Sequence, residues 1–298
     1  YMQALSNRRN PDTTLSPNSI AKHLKTLRAI LNKAADDGLI QPYEIPRKLI
    51  SVKEIPPTIT GLQDEELNKL ITLPIKENTD RWNARNLFLF AMYEGGIRIG
   101  DIIQLRWRNI VGDRLIYVMT KNGKQVNVIL VQEAKKILMR YKRQGQRPEH
   151  YIFPYLDSNA EYAKYLDYED RQKMSPEISK KLFETINARE ARIGMMLREI
   201  RALTGIPHLT FHTARHTFAL RAKEANVDNT TLKNILKHSS LNTTETYVKK
   251  LDCRSEDAAM RVMYLDKARK NKEKKRIIKQ IQKLGFSTEE LIELLAGD

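Results

Sequence analysis

Most of the apolar residues of this 298-residue chain fall at helical spacing, and one stretch reads as β-strand instead. Leu115-Ile116-Tyr117-Val118 and Val126-Asn127-Val128-Ile129 are rich in β-formers. Asn122-Gly123 between them is a strong hairpin signal, with Lys121 and Lys124 flanking the turn. One hairpin among many helices limits the fold to a mostly α protein with a small antiparallel β-sheet.

The helices punctuate themselves. Ser16-Pro17 supplies an N-cap and a first-position proline. Ile20, Leu24, Leu27, Leu31 and Ala34 follow at helical spacing, and Gly38 closes the element. Its other face carries Lys22, Lys25, Arg28 and Lys33. Pro42, Pro46, Pro56 and Pro57 then interrupt the periodicity, which marks a linker. The expected organisation is a helical domain over 1–45, a linker over 46–61, a main domain over 62–265 and a basic C-terminal segment over 266–298. Within the main domain, helices are expected from Asp64, over 81–93 and from Arg98 after the Gly95-Gly96 break. Others are expected over 131–143, 177–204, 212–225, 229–237, 242–250 and 254–270. Residues 144–175 read as a polar loop. At the end, Ser287 and Glu290 form a capping box.

No apolar run approaches the roughly 18–20 residues of a membrane span. The single cysteine, Cys253, allows no internal disulfide and no cysteine metal cluster, so a reducing cytoplasm is the expected setting. Tyr1 is followed by no charged-then-apolar leader, so no secretion signal is expected. The net charge of +16 points to a polyanionic partner, with nucleic acid first, because neutralising phosphates releases counterions.

Against that charge, several polar residues stand out. Arg98 opens a helix after two glycines. His212, Arg215 and His216 lie three and four residues apart, near one helix face. His238 begins a Ser-Ser turn, and Tyr247 follows nine residues later. Taken singly, each has an ordinary explanation: a surface arginine, helix histidines, a packing tyrosine, a solvated turn lysine. Together they suit phosphoryl transfer without a metal. Two guanidinium groups can grip phosphate oxygens, a lysine can protonate a leaving alkoxide, an imidazole can move a proton, and a tyrosine near cations can act as nucleophile.

The motifs carry a family resemblance. Gly95-Gly96-Ile97-Arg98-Ile99-Gly100-Asp101-Ile102-Ile103-Gln104-Leu105 resembles the first arginine motif of tyrosine recombinases, the phage-type integrases. His212-Thr213-Ala214-Arg215-His216 resembles their His-x-x-Arg-His motif. Leu236-Lys237-His238-Ser239-Ser240, followed by Thr243-Thr244 and Tyr247, resembles their Gly-His-Ser-Ser and tyrosine motifs. Lys121 is similar to the family's hairpin lysine, with Lys124 as its rival. Two departures are visible: Lys237 stands where glycine is usual, and Asp101 where glutamate is commoner.

The resemblance implies a catalytic domain over about 60–265, with residues 1–40 matching the last helices of a core-binding domain. The start is therefore expected to lie inside a longer gene product. Arg98 and Arg215 would hold the scissile phosphate. Lys121 would protonate the 5′-hydroxyl leaving group, His212 would assist proton transfer, and His238 would bond the phosphate. Asp101 and His216 would support the site, and Tyr247 would form a 3′-phosphotyrosine. Lys22, Lys25, Arg28 and Lys124 are the expected DNA contacts. The partners implied are double-stranded recombination sites, a homo-tetramer on DNA from a chain monomeric alone, and an accessory directionality factor. No cofactor, metal or membrane is implied. The activity would be site-specific integration or excision of a bacterial mobile element. A tyrosine-dependent topoisomerase and a non-catalytic DNA-binding regulator are the competing readings. The run from Lys267 to Lys283 is expected to be a solvated helix face. The terminal helix, with Leu291, Ile292, Leu294 and Leu295, is expected to bury its apolar side in cis or in trans.

Overall fold

The computed structural model describes residues 15–41 and 60–237, and the chain divides into two compact units, Tyr1–Thr58 and Ile59–Asp298. In the first unit, helix α1 spans Pro17–Asp36. Ser16 Oγ accepts from the Ser19 N–H at 3.2 Å, and Gly38 follows the helix with φ +75°. Ala21 and Leu24 are buried, while Lys22, Lys25 and Arg28 are exposed.

The second unit is organised around one helix. Following α2 (Asp64–Thr72), α3 (Asp80–Tyr93) is buried continuously from Trp82 to Met92. An all-round apolar helix has to be central, and α3 packs against three later helices: α5 (Gln132–Tyr141), α7 (Pro176–Thr204) and α8 (Phe211–Glu224). Its aromatics meet partners across the core. The Phe90 and Phe153 rings are 5.4 Å apart, and those of Trp82 and Tyr141 are 5.3 Å apart. Each such side chain stabilises by about 1.5–3 kcal/mol through burial alone. Gly95 and Gly96, at φ +79° and +70°, turn the chain out of α3. They lead into the short α4 (Ile99–Ile102), for which Arg98 is the N-cap residue.

The β-rich stretch is a hairpin, β2 (Arg114–Val118) against β3 (Gln125–Ile129), with Tyr117 opposite Val126 and Val118 opposite Gln125. A two-residue strand, β1 (Ile110–Val111), adds to β2 and completes an antiparallel sheet of order β1-β2-β3. The fold is thus mostly helical with a small antiparallel sheet. The turn is wider than a two-residue Asn-Gly link. The Met119 N–H bonds the Lys124 carbonyl and the Gly123 N–H bonds the Met119 carbonyl, both at 3.0 Å, so the loop is Thr120–Gly123. Within it only Gly123 is left-handed, at φ +64°.

Residues 144–175 are not the solvated loop expected from their polarity. Tyr151, Leu156, Tyr162 and Ala163 form a satellite core with Leu182 of α7, and Ile152 and Phe153 enter the main core. The Arg106 guanidinium holds the segment, donating to the Glu149 carbonyl at 2.5 Å and to the Tyr151 hydroxyl at 2.9 Å. The segment ends in the short helix α6 (Tyr168–Arg171). After α7, which starts on Ser175-Pro176 and stops at left-handed Gly205, come α8 and α9 (Asn229–Leu236). The helices expected over 242–250 and 254–270, Cys253, the basic run and the terminal capping box lie outside the described residues. Among the described residues, no helix is long and apolar enough to cross a membrane.

Candidate active site

Arg215 sits on the buried side of α8, 5% exposed. Its Nη1 donates to the Gly96 carbonyl at 2.9 Å, and its Nη2 donates to the Leu236 carbonyl at the end of α9. One guanidinium therefore joins the Gly-Gly turn, α8 and α9. The backbone of Gly96 lies against the arginine itself: a Cβ there would stand 2.8 Å from both Cα and Cγ of Arg215. This close approach, with the positive φ, explains why the second glycine of the pair precedes Arg98.

His212 and His216 lie one turn apart on α8, rings 4.8 Å apart and edge to face. Both imidazoles are held below their ordinary pKa. For His212 the causes are desolvation first, then the positive charges of Arg215, Arg98 and Lys121. For His216, burial, His212 and Arg215 bring the value to about 4. Both rings are then neutral near pH 7, and an unprotonated imidazole can accept a proton. His212 is exposed, at the solvent side of this cluster.

Three separate elements thus deliver cationic groups to one place. Arg98 comes from the start of α4, with its Nη1 3.7 Å from Met119 Sδ of the hairpin. Arg215 comes from α8, and Lys121 from the hairpin loop. Of the two hairpin lysines, both exposed, it is Lys121 whose charge bears on His212. Asp101, 6% exposed, accepts from the Thr120 N–H at 2.8 Å and so ties α4 to the loop beside Lys121. Tyr117 lies under the cluster, its hydroxyl pushed up by burial and by Asp101, with Arg215 and Arg98 opposing.

Some groups around the site are given no role by the sequence motifs. Gln104 donates to the Gly100 carbonyl at 2.6 Å and accepts from Arg171 Nη1 at 2.5 Å. Its place in the first arginine motif, four residues after Gly100, is its signal in the sequence. Arg171 lies 67 residues further on and had none. Glu190 of α7 covers Gly100, whose added Cβ would lie 3.1 Å from its Oε1. A cavity of about 320 Å³ lies between these groups and the hairpin, lined by Asp101, Gln104, Tyr117, Thr120, Tyr168 and Arg171 among others.

Lys237, the departure from the usual glycine, ends α9 in the left-handed region at φ +51°. The position asks for a residue without a Cβ penalty, which accounts for glycine being usual there. The expected phosphate ligand His238 and nucleophile Tyr247 lie outside the described residues. Lys22, Lys25 and Arg28 are on α1, in the other unit.

Among relatives, tyrosine recombinase XerA of Thermococcus kodakarensis is 25% identical over 211 residues, covering 70% of this chain and 62% of that protein. Tyrosine recombinase XerD of Xanthomonas axonopodis pv. citri is 26% identical over 243 residues, covering 78% and 72%. The chain spans less than two thirds of the length of the Thermococcus relatives it matches. In fold it is similar to a lambda integrase solved as a dimer bound to a core site, at a TM-score of 0.53 and 15% identity over 80% of this chain and 81% of that one. It is also similar to the Tn1549 transposon integrase in complex with circular intermediate DNA, at 0.50 and 17% over 83% and 79%. The phage integrase family matches residues 61–254, the greater part of the molecule, and the chain belongs to that family.

Proposed function

We propose that the protein is a site-specific DNA recombinase that cuts and rejoins strands through a covalent bond to Tyr247. The observation that carries the proposal is the convergence of Arg98, Arg215 and Lys121 on His212, from three separate elements. The two guanidinium groups would bind the non-bridging oxygens of a scissile phosphate, where negative charge builds in the transition state. Neutral His212 would take the proton of the Tyr247 hydroxyl as its oxygen attacks phosphorus. The bond to the 5′ oxygen breaks, and Lys121 gives that oxygen a proton. Asp101 and His216 would support the site, and His238 would add a hydrogen bond to the phosphate. A second strand's 5′-hydroxyl then reverses the step, so the phosphodiester energy is kept in the phosphotyrosine and no cofactor is consumed.

The relatives named tyrosine recombinases and the DNA-bound integrases support this reading. We extend it to a tetramer on two paired sites, with residues 1–45 gripping DNA through Lys22, Lys25 and Arg28, residues 46–61 as linker and 266–298 as a C-terminal segment. Lys124 would add a backbone contact near the hairpin. An accessory directionality factor and a cytoplasmic setting at the cell's DNA complete the proposal. The test is covalent trapping. A duplex selected for binding from a random pool is nicked near its centre, so that a cleaved strand cannot rejoin. It is incubated with the protein in a chelator and run on a denaturing gel. A protein–DNA adduct that disappears in Tyr247→Phe is the expected result. Tight binding with no adduct on any selected duplex would sink the reading and favour a regulator.

A further inference from the structure

The loop that carries Lys121 is held in an unusual way. Thr120 lines the cavity of about 320 Å³, and Thr120–Gly123 are all exposed, outside any packed core. The loop's position is therefore set by polar tethers, since close packing is missing beneath it. The Thr120 N–H is fixed by buried Asp101 at 2.8 Å, and the Thr120 hydroxyl lies 3.5 Å from Gln104 Nε2. Gln104 is clamped at both ends of its amide. Its Nε2 donates to the Gly100 carbonyl at 2.6 Å, and its Oε1 accepts from Arg171 Nη1 at 2.5 Å. The same face of α6 backs the loop tip, since a Cβ on Gly123 would meet the Tyr168 hydroxyl at 3.5 Å. Arg171 and Tyr168 are three residues apart, one turn of the helix, and both line the cavity.

An amide side chain can rotate by half a turn and exchange its donor for its acceptor. In the observed orientation the NH2 faces the Gly100 carbonyl and Thr120, and the oxygen faces the guanidinium. A flipped amide would aim NH2 at the guanidinium and oxygen at the carbonyl, two repulsive pairs. Arg171, which has only donors, and the Gly100 carbonyl, which only accepts, together select the orientation in which Gln104 reaches the loop.

We propose that Arg171 is a positioning residue for the proton donor: through Gln104 it holds Thr120 at the cavity, and with it the backbone that carries Lys121. This rests on the strand-cutting reading of the site. Arg171 touches no reacting atom, and its effect is confined to the step that Lys121 performs. That confinement separates it from a structural residue, whose loss would weaken the phosphate grip of Arg98 and Arg215 as well.

The test uses two substrates of one sequence, the nicked duplex above and a version with sulfur in place of the 5′ bridging oxygen. A thiolate leaves without a proton, so the sulfur substrate does not need the acid. Positioned acids contribute roughly 10²–10⁴-fold, and Lys121→Ala should lose a factor in that range on oxygen and little on sulfur. For Arg171→Met we expect a loss of about 10–100-fold in single-turnover cleavage on oxygen, as for a misplaced acid. On sulfur it should cleave at close to the wild-type rate. Arg171→Lys, which keeps a donor for Gln104, should recover part of the loss. Gln104→Leu should behave as Arg171→Met does, and serves where the arginine variant does not fold. Equal losses on both substrates, or no loss on either, would overturn the positioning role. If Lys121→Ala is not rescued by sulfur, the acid assignment itself fails and this proposal falls with it. If the wild-type chain forms no adduct with either substrate, it is the strand-cutting reading that fails.

Discussion

Replacing Gly96 by alanine tests whether the Gly-Gly turn exists to let Arg215 approach. Two effects act at this position. The backbone is left-handed at φ +70°, which costs an alanine about 1–2 kcal/mol. The new methyl would also stand 2.8 Å from Arg215 Cα and Cγ, where backbone must shift, an overpacking of about 1–3 kcal/mol. The smaller entropy of the unfolded alanine chain returns roughly 0.4–1 kcal/mol. The net expectation is a loss of about 2–4 kcal/mol. Gly95→Ala is the internal control. Its φ is similar, +79°, but its Cβ would meet only the Cγ2 methyl of Ile235, at 3.0 Å, and a side chain can move aside. The difference between the two variants, about 2 kcal/mol, therefore isolates the collision with Arg215. Urea unfolding followed by tryptophan fluorescence is a suitable assay, because both tryptophans, Trp82 and Trp107, belong to the second unit. Equal losses in the two variants, or a Gly96→Ala protein within about 0.5 kcal/mol of wild type, would refute the close-approach argument.

Two further outcomes follow from buried or strained groups. Glu94 is 3% exposed, and burial first, against a hydrogen bond from the Val131 N–H and the charge of Lys135, raises its carboxyl to about 7. A raised acid favours the folded state below the unfolded value of 4.5, and that advantage is lost as pH rises to about 7; Glu94→Gln should therefore stabilise by up to roughly 3 kcal/mol near pH 8 and by almost nothing near pH 4 in urea melts. An equal effect at both pH values would show that ionisation is not the cause. Lys237→Gly should raise stability by about 0.5–1 kcal/mol by relieving the left-handed lysine, and a destabilised variant in the same melts would show that the side chain contributes more than the conformation costs.

Much of the fold was legible because local chemistry and tertiary packing agree. Ser16-Pro17 and Gly38 bound α1 where capping rules put them, and the unbroken apolar run of α3 could only be central. What failed was context. Tyr151, Ile152, Phe153, Tyr155 and Leu156 repeat at neither helical nor strand period, since they enter two different cores from an irregular segment, so 144–175 read as loop. Strand β1 has two residues and no pattern of its own. At the site, His212, Arg215 and His216 announced themselves by spacing on one helix. The contacts that shape the site around them are long-range: Arg215 to the Gly96 carbonyl spans 119 residues, and Arg171 to Gln104 beside the hairpin spans 67. No local window contains such a pair.

Helix α7 has 29 residues and runs about 43 Å. Its first half anchors the satellite core at Leu182, with Ile178 and Ile186 against it, and its second half gives Ile193, Leu197 and Ile200 to the main core. A single rod shared by a small cluster and a large one has two depths of protection. The small cluster can open while the large one stays shut, so amides near 178–186 exchange with solvent ahead of those near 193–200. The segment that leads to Arg171 leaves from Tyr162 and Ala163 of that small cluster. Each such opening would momentarily unseat the support of the Lys121 loop, so under the proposed reaction the timing of proton delivery would follow the breathing of a distant patch of core.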